Sequence, residues 1–358
     1  MKIFCAYLPQ FHQTKINDLF WERGFTDWVT TRNAKKYFKG HNQPLRPGLL
    51  KEYNLLDKEI LKKHSIQMKK SGIDAFAVYH YHFNRNQFAL NKPVEIIRLN
   101  KNIKFNFFFY WVNSDWTRSW VGEDKTIIYK QNNSLKHALN VIKNAIKYFK
   151  DNRYEKLNGR PLFIIHDTSK FDLKLFKIKA NRILNKNKIK NLYIVGNLNY
   201  LSSRKDLEFC DSVINWPPDS LFLGKFKNFL RTILSKNILK IEIIFKFLCV
   251  QDYKKYLKIL NSHIKKLIKV YPNLIPTFIT NWDNTPRYGS KGIVLHNVRP
   301  AIFYKKISKL KSLFKKKKID MIFIKAWNEW AEGNVIEHSH LYKNKYMKII
   351  KKIKNNFK

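Results

Sequence analysis

The sequence predicts an α/β fold, a single (β/α)₈ barrel of the TIM type with long loops at the C-terminal face of the strands. The chain has 358 residues, a length that α/β barrels commonly use as one domain. Short apolar runs alternate with longer amphipathic segments, which is typical of parallel strands joined by helices. The chain also lacks a G-x-G-x-x-G turn, so the competing Rossmann-like doubly wound sheet has no cofactor motif.

Eight runs rich in β-branched and aromatic residues are predicted as strands, because strands buried on both faces are apolar throughout. In chain order they are Ile3–Leu8, Asp74–Tyr81, Lys104–Trp111, Pro161–His166, Leu192–Gly196, Ser212–Asn215, Leu274–Thr280 and Met321–Ala326. Helices are predicted between them where apolar residues recur at spacings of three and four, with lysine on the other side. The clearest are Leu55–Lys70, Ser134–Phe149, Asp172–Asn185 and Ala301–Lys315.

The barrel is expected to occupy residues 1–340, with a helical insertion near residues 219–265 and a basic helix or tail at residues 341–358. Asp219–Val250 departs from the alternation, since it combines phenylalanine and leucine with lysine and arginine in a basic amphipathic pattern. Such a segment could lie flat on a membrane surface. An ordinary barrel helix with an inserted partner explains the pattern equally well.

The composition is strongly basic, with 70 lysines and arginines against 26 acidic residues and a formal net charge of +44. Most of the basic residues are lysines spread over every predicted surface helix, a pattern that compositional bias alone can produce. Sequence-specific nucleic-acid readers usually place arginines on one helix or loop. Nucleic acid is therefore disfavoured as a partner, and an anionic membrane surface or an anionic sugar donor is favoured over it.

Met1–Gln10 contains an apolar stretch of only seven residues, broken by Pro9, and it lacks the basic region and cleavage site of a secretory signal. No apolar run approaches the ~18 residues of a spanning helix. Cys5, Cys210 and Cys249 form no C-x-x-C pair, which fits a reducing compartment. We expect a cytoplasmic protein, with peripheral attachment to the inner face of the cytoplasmic membrane as an open alternative.

Polar and aromatic residues collect directly after the predicted strands, where the loops of a barrel build its active site. Tryptophan among asparagine, acids and arginine suits a sugar site, because aromatic rings stack on pyranoses while planar polar groups bind hydroxyls; core packing is the alternative. The predicted substrate-binding residues are Tyr7, Gln10, His12, Asp27, Trp28, Tyr79, Tyr81, Trp111, Asn113, Asp115, Trp116, Arg118, Trp282, Asp283, Asn284, Arg287, Trp327, Asn328 and Glu337. The two arginines could bind a phosphate or a sugar carboxylate, or pair with Asp115 or Asp283.

Glu329 and Glu332 are predicted to be the catalytic residues. They stand three residues apart in W-N-E-W-A-E-G, where the chain leaves the eighth strand, and Gly333 lets the backbone bend there. Glycosidic chemistry needs such a pair, with one carboxyl protonated and the other ionised. The flanking tryptophans could raise the pKa of one of the two glutamates by excluding water.

The sequence resembles the WbsX-type glycosyltransferases, also described as having a glycoside hydrolase family 99-like domain. The resemblance extends from Ala6 to about His338 and implies a (β/α)₈ barrel that acts in the assembly of lipopolysaccharide O-antigen or another bacterial surface polysaccharide. The motifs that carry it are Ala6–His12, Gly24–Trp28, Phe38–His41, Gln43–Pro44, Trp282–Thr285 and Ala326–Gly333.

The resemblance also implies roles for the two glutamates. Glu329 would deprotonate the sugar 2-hydroxyl, and Glu332 would act as general acid and then as base, through a 1,2-anhydro sugar and with no metal or cofactor. The chain has no D-x-D motif, and its two H-x-H pairs lack a third placed ligand. The family's usual W-x-N-E-N-W reads Trp111–Trp116 here with Ser114 in place of the glutamate, which leaves recognition of the sugar open.

The leading hypothesis is a carbohydrate-active enzyme that transfers a glycosyl residue from a sugar donor to a glycan or lipid-linked glycan acceptor. A glycoside hydrolase or transglycosidase, similar to an endo-α-mannosidase, is the first alternative. A non-catalytic glycan-binding barrel is the second, and it predicts that Glu332→Gln leaves the biological function intact.

Overall fold

The computed structural model describes residues 1–198, 207–218 and 250–357, and its centre is a ring of parallel strands. The strands are β1 (Lys2–Tyr7), β2 (Ala75–Asn84), β3 (Phe107–Trp111), β4 (Arg160–Ile165), β5 (Tyr193–Leu198), β6 (Ser212–Asn215), β7 (Leu274–Ile275 and Thr277–Ile279) and β8 (Met321–Lys325). Each of them corresponds to one of the eight predicted runs.

The ring closes through β7. Its first half pairs with β6, with Leu274 opposite Val213, and its second half pairs with β8, with Thr277 opposite Phe323. Pro276 separates the two halves, as expected of a residue that has no N–H to donate to a neighbouring strand. The remaining neighbours are parallel and follow chain order, and β1 joins β8 to β2. The predicted (β/α)₈ barrel is therefore confirmed.

Helices surround the strands. They are α1 (Lys15–Phe20), α2 (Asp27–Arg32), α3 (Lys58–Lys70), α4 (Lys92–Leu99), α5 (Leu135–Phe149), α6 (Leu173–Lys186), α7 (Tyr253–Val270), α8 (Thr285–Tyr288), α9 (Pro300–Ser308), α10 (Lys311–Lys316) and α11 (Lys345–Asn356). The longer ones begin at capping side chains, because Asp57, Ser134, Asp172 and Asp252 each accept a backbone N–H of the first turn. The predicted helix Ala301–Lys315 is two helices, α9 and α10, separated at Lys309 and the buried Leu310.

Shorter elements lie in the loops. The additional strands are Gln87–Ala89, Trp116–Arg118, Glu123–Tyr129, Lys156–Leu157, Val250–Asp252, Val294–His296, Asn328–Glu329 and Asn334–Val335. Single 3₁₀ turns lie at Ser119–Val121, Thr168–Lys170, Gly289–Lys291 and Trp330–Glu332. Most of these elements follow the carboxyl end of a barrel strand, so that face carries the longest loops.

The C-terminal segment predicted as a basic helix or tail forms α11, which packs on the barrel. Tyr346, Ile350 and Ile353 are buried on one side of α11, and the Tyr346 ring lies 5.8 Å from that of Phe303 in α9. Residues 219–249 of the predicted insertion lie outside the described residues. Among the helices that the structure describes, none combines the length and the apolarity needed to cross a bilayer.

Candidate active site

The turn after β8 carries both predicted catalytic residues. Glu329 lies in a short antiparallel pair with Asn334–Val335, and the 3₁₀ turn Trp330–Glu332 reverses the chain between them. Gly333 completes the reversal at a φ of +64°. The two glutamates are therefore held at the ends of one tight turn at the carboxyl edge of the barrel.

Gly333 is needed for this turn on two counts, and Gly333→Ala is expected to destabilise the protein. The left-handed conformation costs a residue with a side chain about 1–2 kcal/mol. A Cβ atom here would also lie 3.0 Å from Cβ of Asp283. Gly24→Ala is the matched control, since Gly24 also has a positive φ, +85°, but nothing lies within 4 Å of its added Cβ. Urea denaturation should give the larger loss for Gly333→Ala, and equal losses would contradict the steric part of this account.

Five charged side chains meet beside the turn. Arg287, which α8 carries, places Nη1 2.7 Å from Oε1 of Glu332 and Nη2 3.4 Å from Oε2 of Glu329. The same Nη2 lies 3.5 Å from Oδ1 of Asp27 at the start of α2. Lys325, the last residue of β8, places Nζ 3.3 Å from Oε2 of Glu332. Three carboxyl groups thus share two cations in a largely buried cluster, which we call the charge cluster.

The two glutamates of the charge cluster have different proton affinities. Burial raises the pKa of Glu329 to about 7, the charge of Glu332 adds to the rise, and Arg287 and Lys325 oppose it. Burial also disfavours the ionised form of Glu332, but Lys325 and Arg287 outweigh it and hold the pKa of Glu332 below its ordinary value. At neutral pH the pair can therefore hold one proton, as an acid and base pair requires.

Aromatic side chains stand around the charge cluster. Nζ of Lys325 lies 4.3 Å from the ring centroid of Trp282 and 5.2 Å from that of Trp216. Tyr79 packs against Trp216, and burial together with the charge of Glu329 raises the pKa of both Tyr79 and Tyr81. Both tyrosines are therefore neutral hydroxyl groups beside the glutamates.

The predictions from sequence missed several residues of this region. Tyr110 in β3 brings its hydroxyl 2.8 Å from Nδ1 of His166, and Asn197 donates its amide N–H to that hydroxyl at 3.2 Å. Trp216 packs edge-on against Tyr110, and Lys325 completes the group. Their common signal is position, since each lies at or just beyond the carboxyl end of a barrel strand.

Tyr7 and Glu337, both predicted to bind substrate, belong to one buried hydrogen-bonded network. The Tyr7 hydroxyl lies 2.9 Å from Nδ1 of His64, while Nε2 of His64 and the hydroxyl of Tyr53 reach the two carboxylate oxygens of Glu337 at 3.0 Å and 2.8 Å. Asn328 exchanges two hydrogen bonds with the backbone of the residue after Tyr7. These polar atoms bond one another, so the structure does not support direct sugar contacts for Tyr7, Asn328 and Glu337.

Three tryptophans and one asparagine that were predicted to bind sugar pack within the protein instead. The Trp111 ring stacks 5.8 Å from Phe171, and the Trp327 ring lies against Phe76 at 5.1 Å. Trp28 donates its indole N–H to a backbone carbonyl at 2.8 Å. Asn113 exchanges hydrogen bonds of 2.7 Å and 2.8 Å with the backbone of Asp167. The contacts observed for these residues are those of core packing, the alternative considered above, and sugar binding by them stays a prediction.

The loop after β3 forms a separate aromatic cluster. Trp116 packs there against Tyr81, with 6.0 Å between ring centroids, so this cluster borders the charge cluster through Tyr81. Asp115 is exposed and accepts a backbone N–H. Arg118 pairs with Glu123 at 2.8 Å. Arg118 therefore pairs with Glu123, and Arg287 binds the carboxyl groups of the charge cluster. Neither arginine has Asp115 or Asp283 as its partner.

Asp283 and Asn284 shape the loop that leads into α8. One carboxylate oxygen of Asp283 accepts from Nε2 of His41 and from the amide of Gln43, both at 2.8 Å, and the other accepts from Thr285. Asn284 accepts a backbone N–H at 2.6 Å. The oxygens of Asp283 are occupied by these bonds, so its observed role is to fix the loop rather than to contact a substrate.

Gln10 and His12 are both buried, and the backbone N–H of Asp27 donates to the carbonyl of Gln10 at 3.3 Å. Neither polar atom of the Gln10 side chain has a hydrogen-bond partner within the described residues. Burial lowers the pKa of His12 to about 4, so its ring is neutral. Both remain predicted substrate-binding residues.

Comparisons with known proteins agree with the resemblance seen in the motifs. A family model described as glycosyltransferase WbsX matches residues 3–350. The uncharacterized protein WxcX of Xanthomonas campestris pv. campestris is 24% identical over 344 residues, which are 92% of this chain and 46% of WxcX. The chain therefore spans about half the length of the curated relatives it matches.

Two solved structures share the fold. A glycoside hydrolase-like protein has a TM-score of 0.58 at 13% identity, over 98% of this chain and 93% of that chain. The GH99 endo-α-mannosidase from Bacteroides thetaiotaomicron has a TM-score of 0.58 at 14% identity, over 99% of this chain and 97% of that chain. At these identities the likeness shows the fold alone.

Proposed function

This chain belongs to the glycosyltransferase WbsX family, and on that premise we propose that it is a carbohydrate-active enzyme that transfers a glycosyl residue. The donor is a sugar with a leaving group, and the acceptor is a glycan or a lipid-linked glycan. The step belongs to the assembly of lipopolysaccharide O-antigen or another surface polysaccharide. The proposed chemistry uses carboxyl groups and neither a metal nor a cofactor.

The arrangement of Glu329 and Glu332 on one guanidinium is the observation that carries this proposal. Glycosyl transfer needs a protonated carboxyl to assist the departing oxygen and an ionised one to accept a proton from a hydroxyl. The unequal pKa values of the two glutamates suit this division. Tyr81, Trp216 and Trp282 supply aromatic surfaces of the kind on which sugar rings stack.

Hydrolysis or transglycosylation of an α-linked glycan is the second candidate, and the likeness in fold to an endo-α-mannosidase favours it. The same two carboxyl groups would serve, with water in place of the acceptor hydroxyl. A non-catalytic glycan-binding barrel is the candidate that is not an enzyme. It would use the aromatic surfaces to bind a glycan, and the protonation states of the two glutamates would not matter to it.

Two incubations distinguish the candidates. The protein is mixed with a panel of nucleotide-sugars and lipid-linked glycan acceptors, and separately with α-mannan-type oligosaccharides, and products are followed by mass spectrometry. We expect a glycosylated acceptor in the first mixture. Products in the second mixture alone would overturn transfer in favour of hydrolysis. Binding of glycans without products in either mixture would favour the non-catalytic barrel.

We also propose that the protein works in the cytoplasm, peripherally on the anionic inner face of the cytoplasmic membrane. Helices α5, α6, α7 and α11 carry lysines and no acidic residue, and they follow four different strands of the barrel. Each lysine near such a surface contributes about 1 kcal/mol. A spread of lysines over many helices is also what compositional bias produces. Membrane attachment and compositional bias are therefore distinguished by changes in Leu221–Leu234, which lies outside the described residues.

Sedimentation with vesicles tests this attachment. We expect binding to anionic but not to neutral vesicles, and loss of binding at high salt because the Debye length shortens. Replacing the phenylalanines and leucines of Leu221–Leu234 by polar residues should weaken it clearly. Unchanged binding after those replacements would assign the attraction to the spread lysines and remove the membrane role of this segment.

A further inference from the structure

Lys325 is a buried cation in the inward register of β8, an otherwise apolar strand. Its side chain is 7% exposed, and its ammonium group lies 4.3 Å from the ring centroid of Trp282 and 5.2 Å from that of Trp216. Such cation–π contacts hold an ammonium group that has lost much of its water. The two rings therefore fix the place of the charge and leave its N–H groups for stronger acceptors.

The hydrogen-bonding capacity of this ammonium group is only partly used. It has three N–H donors, and among the described residues its ion-pair partner is Glu332, whose Oε2 lies 3.3 Å away. Glu332 does not depend on this contact alone, because Arg287 holds its other carboxylate oxygen at 2.7 Å. A buried donor that lacks an acceptor is costly, so Lys325 is suited to donate to a ligand.

Lys325 differs in this respect from the two arginines that were predicted to bind a phosphate or a sugar carboxylate. Arg118 pairs with Glu123 at 2.8 Å, and Arg287 contacts three carboxyl groups. Lys325 also stands beside Glu332, the residue to which the family resemblance gives the role of general acid. A general acid acts on the leaving group, so a cation beside it suits a leaving group that carries negative charge.

We propose that Lys325 binds a phosphate of the leaving group, so that the donor is a glycosyl diphosphate, with either a nucleoside or a lipid on the far phosphate. This inference rests on the proposed function and names the class of its donor. When the bond between the anomeric carbon and the phosphate oxygen breaks, the electron pair stays on that oxygen and Glu332 gives it a proton. Lys325 holds the charge that the diphosphate retains. Glu332 then regains a proton from the acceptor hydroxyl as the new glycosidic bond forms.

Competition from the carboxyl groups of the charge cluster is limited, because Arg287 contacts all three of them. Among the described residues the anion that competes for Lys325 is Glu332. A phosphate that replaces Glu332 as the partner of Lys325 favours the protonated form of Glu332, the form that a general acid needs. Burial and the charge of Lys325 lower the pKa of His166 to about 4, so that ring is neutral.

Calorimetric titration of the full chain with inorganic pyrophosphate tests the proposal without a donor sugar. We expect saturable binding at a salt concentration that screens the surface lysines. Lys325→Met should weaken it about 10–100-fold, the usual effect of losing a hydrogen bond between charged groups, and Lys325→Arg should largely retain it. Glu332→Gln, which removes the competing anion, should not weaken it. Lys258→Met, at an exposed position of α7, is the matched control and should bind like the unmodified protein.

Uridine diphosphate and geranyl diphosphate distinguish the two kinds of donor. Both share the diphosphate, so both should depend on Lys325. Tighter binding of uridine diphosphate than of pyrophosphate would identify a nucleotide-sugar donor, and tighter binding of geranyl diphosphate would identify a lipid-linked one. The affinity for a neutral α-mannan-type oligosaccharide should be unchanged in Lys325→Met.

Pyrophosphate binding that is unchanged in Lys325→Met, or weakened equally in Lys258→Met, would assign the binding to surface lysines and overturn the proposal. The absence of saturable binding to the unmodified protein would overturn it as well, so a variant that fails to fold does not remove the test. Binding that depends on Lys325, without turnover in either incubation described above, would overturn the proposed function and leave the phosphate site standing.

Discussion

Glu332→Gln is expected to lower turnover by about 10²–10⁴-fold, the usual contribution of a general acid or base, in a protein that remains folded. The amide keeps the shape of the carboxylate but cannot exchange a proton at neutral pH. The fold should survive because Asp27 and Glu329, both ionised, would then balance Arg287 and Lys325. Turnover is measured on whichever mixture the native chain converts, and folding by circular dichroism.

Glu59→Gln is the matched control for this variant, because Glu59 lies on the outer side of α3 with its side chain 63% exposed. It should retain full turnover. Glu329→Gln should behave like Glu332→Gln, since each glutamate performs one half of the proton exchange. Native turnover or native biological function in Glu332→Gln would remove the paired mechanism and favour the glycan-binding barrel.

The fold was predictable because its signals are local. Each barrel strand is a run of β-branched and aromatic residues, and each long helix has an apolar stripe, so the eight strands and their order follow from the sequence alone. The end of a helix inside an amphipathic pattern is harder to predict. Leu310 is buried and continues the apolar spacing of α9, yet the backbone turns there, and Leu310 is the residue that precedes α10.

The site was predictable only in part, because its pairings join distant loops. Glu329 and Glu332 belong to one motif and could be found together. Arg287 could be recognised as a candidate but not with its partners, since Asp27 lies 260 residues earlier in the chain. Lys325 could not be recognised as a site residue in a chain so rich in lysine. Only its position in the inward register of an apolar strand distinguishes it from the surface lysines.

Buried polar residues and sugar-binding residues look alike in a sequence. Tyr7 lies within the family motif Ala6–His12 and Glu337 shortly after the motif Ala326–Gly333, which favoured a role in binding. Their partner His64 comes from the middle of α3, and nothing in the sequence links it to them. Tyr53 joins this network to Asn328 in the turn after β8, so the motifs contain structural residues as well as candidate functional ones.

Arg287→Met should be among the most destabilising single substitutions in this barrel. The guanidinium is 9% exposed and contacts three carboxyl groups, and removal of one partner from a buried ion pair typically costs about 3–5 kcal/mol. Arg118→Met is the matched control, because its pair with Glu123 is partly exposed and such pairs contribute at most about 1 kcal/mol. The free energy of unfolding in urea at pH 8 gives both losses.

The loss in Arg287→Met should shrink as the pH falls. Arg287 lowers the pKa values of Asp27 and Glu329, so these values rise further when it is removed. A carboxyl whose pKa is higher in the folded than in the unfolded state binds more protons when folded, so it stabilises the folded state increasingly as the pH falls toward the unfolded pKa. Burial already raises the pKa of Glu329 to about 7, so the deficit of the variant at pH 5 should be clearly smaller than at pH 8. A deficit that is independent of pH, or no larger than that of Arg118→Met, would mean that the guanidinium does not balance the three carboxyl groups, and the charge cluster would have to be reinterpreted.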